Sequence, residues 1–211
     1  MRIVFIGERR LGEKALETLI KRGEDIIGVY TPPDIPESAN RVKQLAVQMN
    51  IPVFPLKKMR SPEFYKEYVK LKPDLNVIPL LTIILPQSIL NYPKFGTICL
   101  HPSLLPKYGG LTPLCWPIIN GETKTGVTVF WPDAGIDTGP ILLQKEVELS
   151  PDDTQESLYH DKIIPLGIVA IAESIELIKK GTAPKMPQDK RKPVTTHRAR
   201  RRMQLSIGYS Q

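Results

Sequence analysis

Short apolar runs alternate with amphipathic helical segments along roughly the first hundred residues, and that alternation limits the chain to a sheet covered by helices. Residues 2–6, RIVFI, read as a buried strand, and residues 11–21 read as a helix with Leu11, Ala15, Leu16 and Leu19 at helical spacing. A second strand is expected at 25–30, a helix at 42–49 and a short strand at 52–54, with further strands at 74–80 and 96–100. Between the second strand and the second helix, TPPDIPESAN at 31–40 is a proline-rich loop. The alternation predicts an α/β fold: a mostly parallel twisted sheet with helices on both faces. In such sheets the ligand sits beyond the carboxyl ends of the strands, so the residues that follow each run matter most. Two more strands are expected at 126–131 and 141–149, and the stretch starting Ser150-Pro-Asp-Asp-Thr154 opens a long helix that ends in Lys179-Lys180-Gly181. Its acidic start and basic end follow helix polarity, and Pro165 is expected to bend it.

With 211 residues, 41% of them hydrophobic, the chain can bury the core of one domain, expected over 1–187, with a basic tail over 188–211. The net charge of +7 is unevenly placed. Residues 179–202 hold ten basic side chains against Asp189 alone, while the rest carries 19 basic and 21 acidic ones. Such a cluster attracts phosphates or an acidic partner, or is simply a solvated extension. It has no aromatic residue with which to stack bases. Cys99 and Cys115 form no CxxC pair and no disulfide framework, which fits a reducing compartment, and no metal is expected. The first apolar run is short and soon interrupted by Gly7, Glu8, Arg9 and Arg10, so neither a signal nor a membrane segment is read there, and a cytoplasmic location is expected. Gly7 and Gly12 match neither a dinucleotide fingerprint nor a phosphate loop.

The chemistry concentrates in two places: CLHPSLLPKYGG at 99–110, directly after an expected strand, and DAGIDTGP at 133–140. An imidazole titrates near neutral pH, and a carboxylate beside it orients it and favours its charged form. His101 and Asp137 are therefore the candidate acid/base pair. The alternatives are a hydrogen-bonded histidine under a loop and a plain Asp-Thr-Gly turn. Cys99 is two residues from His101; it reads either as a nucleophile or as a small buried residue, because residues two apart on a strand share a face without having to touch.

These blocks, with Asn120-Gly121 and Thr125-Gly126-Val127-Thr128 between them, resemble the catalytic domain of folate-dependent formyltransferases. That group includes glycinamide ribonucleotide transformylase, methionyl-tRNA formyltransferase, amino-sugar formyltransferases and the amino-terminal hydrolase domain of 10-formyltetrahydrofolate dehydrogenase. The resemblance runs from Met1 to about Pro187 and is densest over 96–167. Phe130-Trp131, the run ILLQKE at 141–146, SPDDT at 150–154 and Leu158-Tyr159 are most similar to the dehydrogenase's hydrolase domain.

The resemblance implies a Rossmann-like domain that binds 10-formyltetrahydrofolate at the ends of its strands and hydrolyses or transfers its formyl group. It implies no metal. The family's catalytic asparagine, histidine and aspartate fall on Cys99, His101 and Asp137. A thiol is a poor donor where the amide would stabilise the oxyanion, and one lost donor of that kind costs about 2.7–4 kcal/mol. The hydrolase domain also lacks the asparagine, so the departure favours that subtype, and it equally suits a weakly active or purely folate-binding module. By position, main-chain groups of Ile83 and Leu85, with Asp133 and Gly135, are expected around the pterin. Ser103, Lys107 and Gly110 lie on the turn where an acceptor approaches, the acceptor being water, an amine or an aminoacyl-tRNA. Gly109 departs from the arginine that many methionyl-tRNA formyltransferases carry in that block.

Overall fold

Four of the five residues of β1 (Arg2–Ile6) are buried, as a strand covered on both faces must be. The computed structural model describes residues 1–34 and 39–189. After β1 come α1 (Arg9–Lys21), β2 (Asp25–Thr31), α2 (Arg41–Gln48), β3 (Val53–Pro55), α3 (Pro62–Lys70), β4 (Leu75–Ile78), α4 (Gln87–Leu90), β5 (Thr97–His101) and α5 (Cys115–Ile119). Then follow β6 (Lys124–Phe130), β7 (Ile141–Glu148) and α6 (Gln155–Ser157), which a π-helical turn, Leu158–Ile163, joins to α7 (Ile164–Lys179). The strands make one sheet in the order β3-β2-β1-β4-β5-β6-β7. The pairs from β3 to β5 are parallel, and β6 and β7 are antiparallel to their neighbours.

Alternation along the strands divides the core in two. Ile3 and Phe5 of β1 join Leu11, Leu16, Leu100, Ile171 and Ile175 in one cluster, under α1 and α7. Val4 and Ile6 join Tyr30, Tyr68, Ile78 and Ile89 in the other, under α3 and α4. This is the mostly parallel α/β sheet with helices on both faces that the sequence predicts.

The differences are local. The sequence reading has no helix at 62–70, because only Tyr68 of α3 is buried and the apolar stripe is thin. Its cap was the available signal: the Ser61 side chain accepts the N–H of Phe64, and Pro62 occupies the first turn. β6 starts two residues before the expected 126, because the ladder with β7 continues to the exposed pair Lys124–Glu148, which carries no apolar pattern. The long helix is capped by Thr154, which forms a reciprocal box with Ser157. It widens into the π-helical turn just before Pro165. Proline cannot donate to the preceding turn and crowds its carbonyl, so the expected bend takes the form of a changed pitch. Both cysteines are free. Of the basic tail, Gln188 and Asp189 are described, and its Lys/Arg cluster from residue 190 onward lies outside the described residues.

Candidate active site

His101 is the last residue of β5, on the same face as Thr97 and Cys99. The antiparallel register sets Phe130 opposite Cys99 and Thr128 opposite His101. The loop at 131–140 therefore leaves β6 level with Cys99, two pairs beyond His101, and must fold back along the sheet to reach the histidine. It does so: Asp137 Oδ2 lies 3.4 Å from His101 Nδ1. The same oxygen accepts the Gly110 N–H at 2.9 Å.

The other imidazole nitrogen faces a main-chain carbonyl, with Nε2 2.9 Å from Tyr108 O. A carbonyl only accepts, so this partner assigns a proton to Nε2. Nδ1 is then the nitrogen left to exchange a proton, with a carboxylate beside it. Its 3.4 Å separation exceeds the roughly 2.7–3.2 Å of a well-formed N–H···O bond. Catalytic hydrogen bonds are often this long without ligand and tighten in the substrate complex. His101 itself is only 6% exposed.

The turn after His101 is held by one internal hydrogen bond and by polar groups of β6, β7 and the segment before β6. Ser103 Oγ donates to Lys107 O at 2.7 Å. Thr128 Oγ1 donates to Ser103 O at 2.6 Å and accepts the Leu105 N–H at 3.0 Å, and Gln144 Nε2 donates to Leu105 O and to Thr128 Oγ1. Tyr108 sits in the left-handed region with φ +58°. Its hydroxyl donates to Glu122 Oε1 at 2.6 Å, and Lys107 Nζ lies 3.0 Å from the same oxygen. The Tyr108 hydroxyl and the Lys107 ammonium hold the Glu122 carboxyl below its ordinary value. The hydrogen bond to Glu122 raises Lys107 in turn.

Cys99 is half-buried against the second core cluster. Burial, with the charge of Asp137 added, pushes its thiol well above the usual range. The thiolate is the nucleophile, and this environment opposes it, so the group stays a neutral, weak donor.

Asp133 shapes the loop that carries Asp137. Its Oδ1 accepts the Gly135 N–H at 2.9 Å and the Thr138 hydroxyl at 2.6 Å, and its carbonyl accepts from Gln87 Nε2. A Cβ on Gly135 would lie 2.0 Å from Thr138 Oγ1, and one on Gly139 would lie 1.8 Å from Trp131 O. Only glycine fits there. Gln188 Nε2 donates to Asp137 O and to Gly139 O, both at 2.8 Å. Ile83 and Leu85 lie on the loop after β4, where Glu8 Oε1 accepts the Thr82 N–H at 2.8 Å. Ile83 is partly exposed and Leu85 is buried.

Of the residues expected from sequence, the fold brings His101, Asp137, Gly110 and Cys99 together. It pairs the Ser103 hydroxyl with the Lys107 carbonyl on the turn and the Lys107 ammonium with Glu122 before β6, and it places Asp133 and Gly135 inside the aspartate loop and Ile83 and Leu85 on a separate loop. Sequence reading missed Tyr108, Glu122 and Gln188. Tyr108 lies within the quoted motif, but it contributes a carbonyl, which any residue has. Glu122 and Gln188 meet their partners 14 and 51 residues away and follow no spacing. Among the described residues no group of three or more His, Cys, Asp or Glu could hold a metal ion, and no helix is long and apolar enough to cross a membrane.

Residues 1–163 match the model of the formyl transferase family. Methionyl-tRNA formyltransferase of Geobacter sulfurreducens is 42% identical over 195 residues, covering 90% of this chain and 61% of that protein. Cytosolic 10-formyltetrahydrofolate dehydrogenase of Mus musculus is 38% identical over 193 residues, covering 89% of this chain and 21% of that protein. The chain thus spans about a fifth of the length of the dehydrogenase and about three fifths of that of the transferase. Among solved structures, glycinamide ribonucleotide transformylase 1 from Symbiobacterium toebii superposes with a TM-score of 0.76 at 20% identity, covering 90% of this chain and 94% of that one. The fold is shared across that distance, and the sequence match extends through the His101 turn and the Asp137 loop: the chain belongs to the formyl transferase family.

Proposed function

We propose that this site binds 10-formyltetrahydrofolate and passes its formyl group to water. One observation carries the reading: a shielded histidine has Nε2 committed to the Tyr108 carbonyl and Nδ1 facing Asp137. Water attacks the formyl carbon, and the carbonyl oxygen takes up negative charge as the tetrahedral intermediate forms. A proton on Nδ1 of His101 stabilises that oxygen, and the Asp137 carboxylate beside Nδ1 orients the ring. Collapse breaks the bond to N10, which takes up the proton that the attacking water gives up, and formate and tetrahydrofolate leave.

Pterin recognition is assigned to the main chain of Ile83 and Leu85, whose backbone groups have no hydrogen-bond partner among the described residues, and to the Asp133–Gly135 part of the aspartate loop. Hydrolysis is the first reading because position 99 offers a neutral thiol in place of a strong donor. The likeness to methionyl-tRNA formyltransferase over 90% of this chain supports a second reading, in which an amine takes the place of water.

The test is incubation with 10-formyltetrahydrofolate and no acceptor, following formate and tetrahydrofolate, with His101→Ala as control. Release that the substitution abolishes, while folate binding survives, supports hydrolysis. Binding with release only after an amine is supplied supports the second reading. Binding without product under either condition leaves a folate-binding module, and no binding overturns the proposal.

A further inference from the structure

We infer that Gln188 is a positioning residue for Asp137, fixing from outside the sheet the loop that brings the carboxylate to His101. The inference rests on the reading of His101 and Asp137 as the reacting pair.

The loop at 131–140 has a geometrical problem. It leaves β6 two pairs beyond His101, returns along the sheet face, and must stop with Asp137 at the level of the histidine. Asp137 does so in the left-handed region, at φ +51°, a conformation that surrounding structure has to enforce. Inside the loop, Asp133 accepts the Gly135 N–H and, beyond Asp137, the Thr138 hydroxyl. Gly110 N–H grips the Asp137 side chain. These contacts leave the Asp137 and Gly139 carbonyls unheld.

Gln188 supplies that restraint. Its amide nitrogen donates to Asp137 O and to Gly139 O, each at 2.8 Å, so two hydrogens of one NH2 bracket Thr138 on both sides. The segment that carries Gln188 is itself anchored. Met186 exchanges two main-chain hydrogen bonds with Ile141 at the start of β7, at 2.7 and 2.9 Å. Pro184 O accepts the Trp131 indole N–H at 2.9 Å. Residues 184–188 thus form a short strap that grips the loop at both roots, through Trp131 and Ile141, and near its tip, through Gln188.

The chemistry of the strap is specific. Both loop partners are carbonyls, so the side chain must donate twice from one atom, which glutamine does and glutamate does not. A loop released by even about 1 Å costs on the order of 100-fold in rate, because Nδ1 and the carboxylate already stand at the limit of contact.

The experiment compares full-length protein with Gln188→Ala and Gln188→Glu, measuring formyl turnover, folate affinity and the ¹⁵N imidazole resonances of His101, with Asp137→Asn as reference. Gln188→Ala is expected to lower kcat by about 10- to 100-fold while KM stays within about twofold. Its His101 resonances are expected to move toward those of Asp137→Asn. Gln188→Glu, which keeps the size and removes both donors, is expected to do at least as much damage. Unchanged kcat and resonances in Gln188→Ala overturn the inference. So does a Gln188→Glu protein that behaves like the parent, since the side chain would then only fill space. Should the parent protein turn over no formyl donor, the proposed function fails first, and the positioning role is decided by the resonances alone.

Discussion

His101 has one nitrogen spoken for and one to work with, and the residues around Nδ1 decide what it can do. Asp137→Asn separates charge from shape, because the amide oxygen still accepts the Gly110 N–H and only the negative charge beside the imidazole is lost. The expected result is a fall in kcat of about 100-fold with KM within about twofold, read by steady-state kinetics with 10-formyltetrahydrofolate; an unchanged kcat would remove Asp137 from the chemistry. Cys99 shares the face of His101, and its half-buried, neutral thiol is a weak donor. Cys99→Asn places an amide there and is expected to raise turnover, by up to about 100-fold if oxyanion stabilisation limits the rate. Equal or lower turnover, in protein that still binds folate, would show that position 99 is not where the limit lies.

At the scale of elements, the turn between β5 and α5 depends on a group outside it. Glu122, just before β6, holds both Tyr108 and Lys107, and the Tyr108 carbonyl fixes His101. Because the folded carboxyl titrates below its ordinary value of 4.5, its contribution is fully present above that pH and is lost as pH falls through the lowered value. Thermal unfolding followed from pH 7 to pH 3 is expected to show an acid loss in the parent that Glu122→Gln lacks. The exposed ion pair makes the difference small, below about 1 kcal/mol. An identical acid loss in both proteins would show that the clamp contributes nothing. The π-helical turn before Pro165 makes the same point in a helix, since one residue's missing donor is met by a change of pitch over the preceding turn.

For the whole molecule, the division between what sequence discloses and what it withholds follows the range of the forces. Ile3 and Phe5 against Val4 and Ile6 announce a strand buried on two faces, and Leu11, Ala15, Leu16 and Leu19 announce a helix, because periodic burial is local and repeats. His101 and Asp137 were legible as types on two loops. Their meeting was not, since it depends on a loop that doubles back from β6. Glu122 and Gln188 were invisible for the same reason: a single polar contact across many residues leaves no period. α3 was missed because a mostly exposed helix buries little beyond Tyr68. The strong charge cluster of the tail begins after the strap. Truncation after Asp189 is therefore expected to leave formyl turnover within about twofold of the parent and to abolish salt-sensitive retention on heparin. A collapse of turnover would place the tail in the site.

The strap also has a meaning in time. Chains are synthesised from the amino terminus at roughly 5–20 residues per second, and His101, the Asp137 loop and β7 are all made before Pro184, Met186 and Gln188, which close on Trp131, Ile141 and Asp137. A nascent chain that has already built most of its sheet still lacks the restraint on its aspartate until that late segment clears the ribosome. Maturation of the site is thus tied to synthesis of this segment, and a ribosome stalled before it would hold an aspartate loop without its outer restraint.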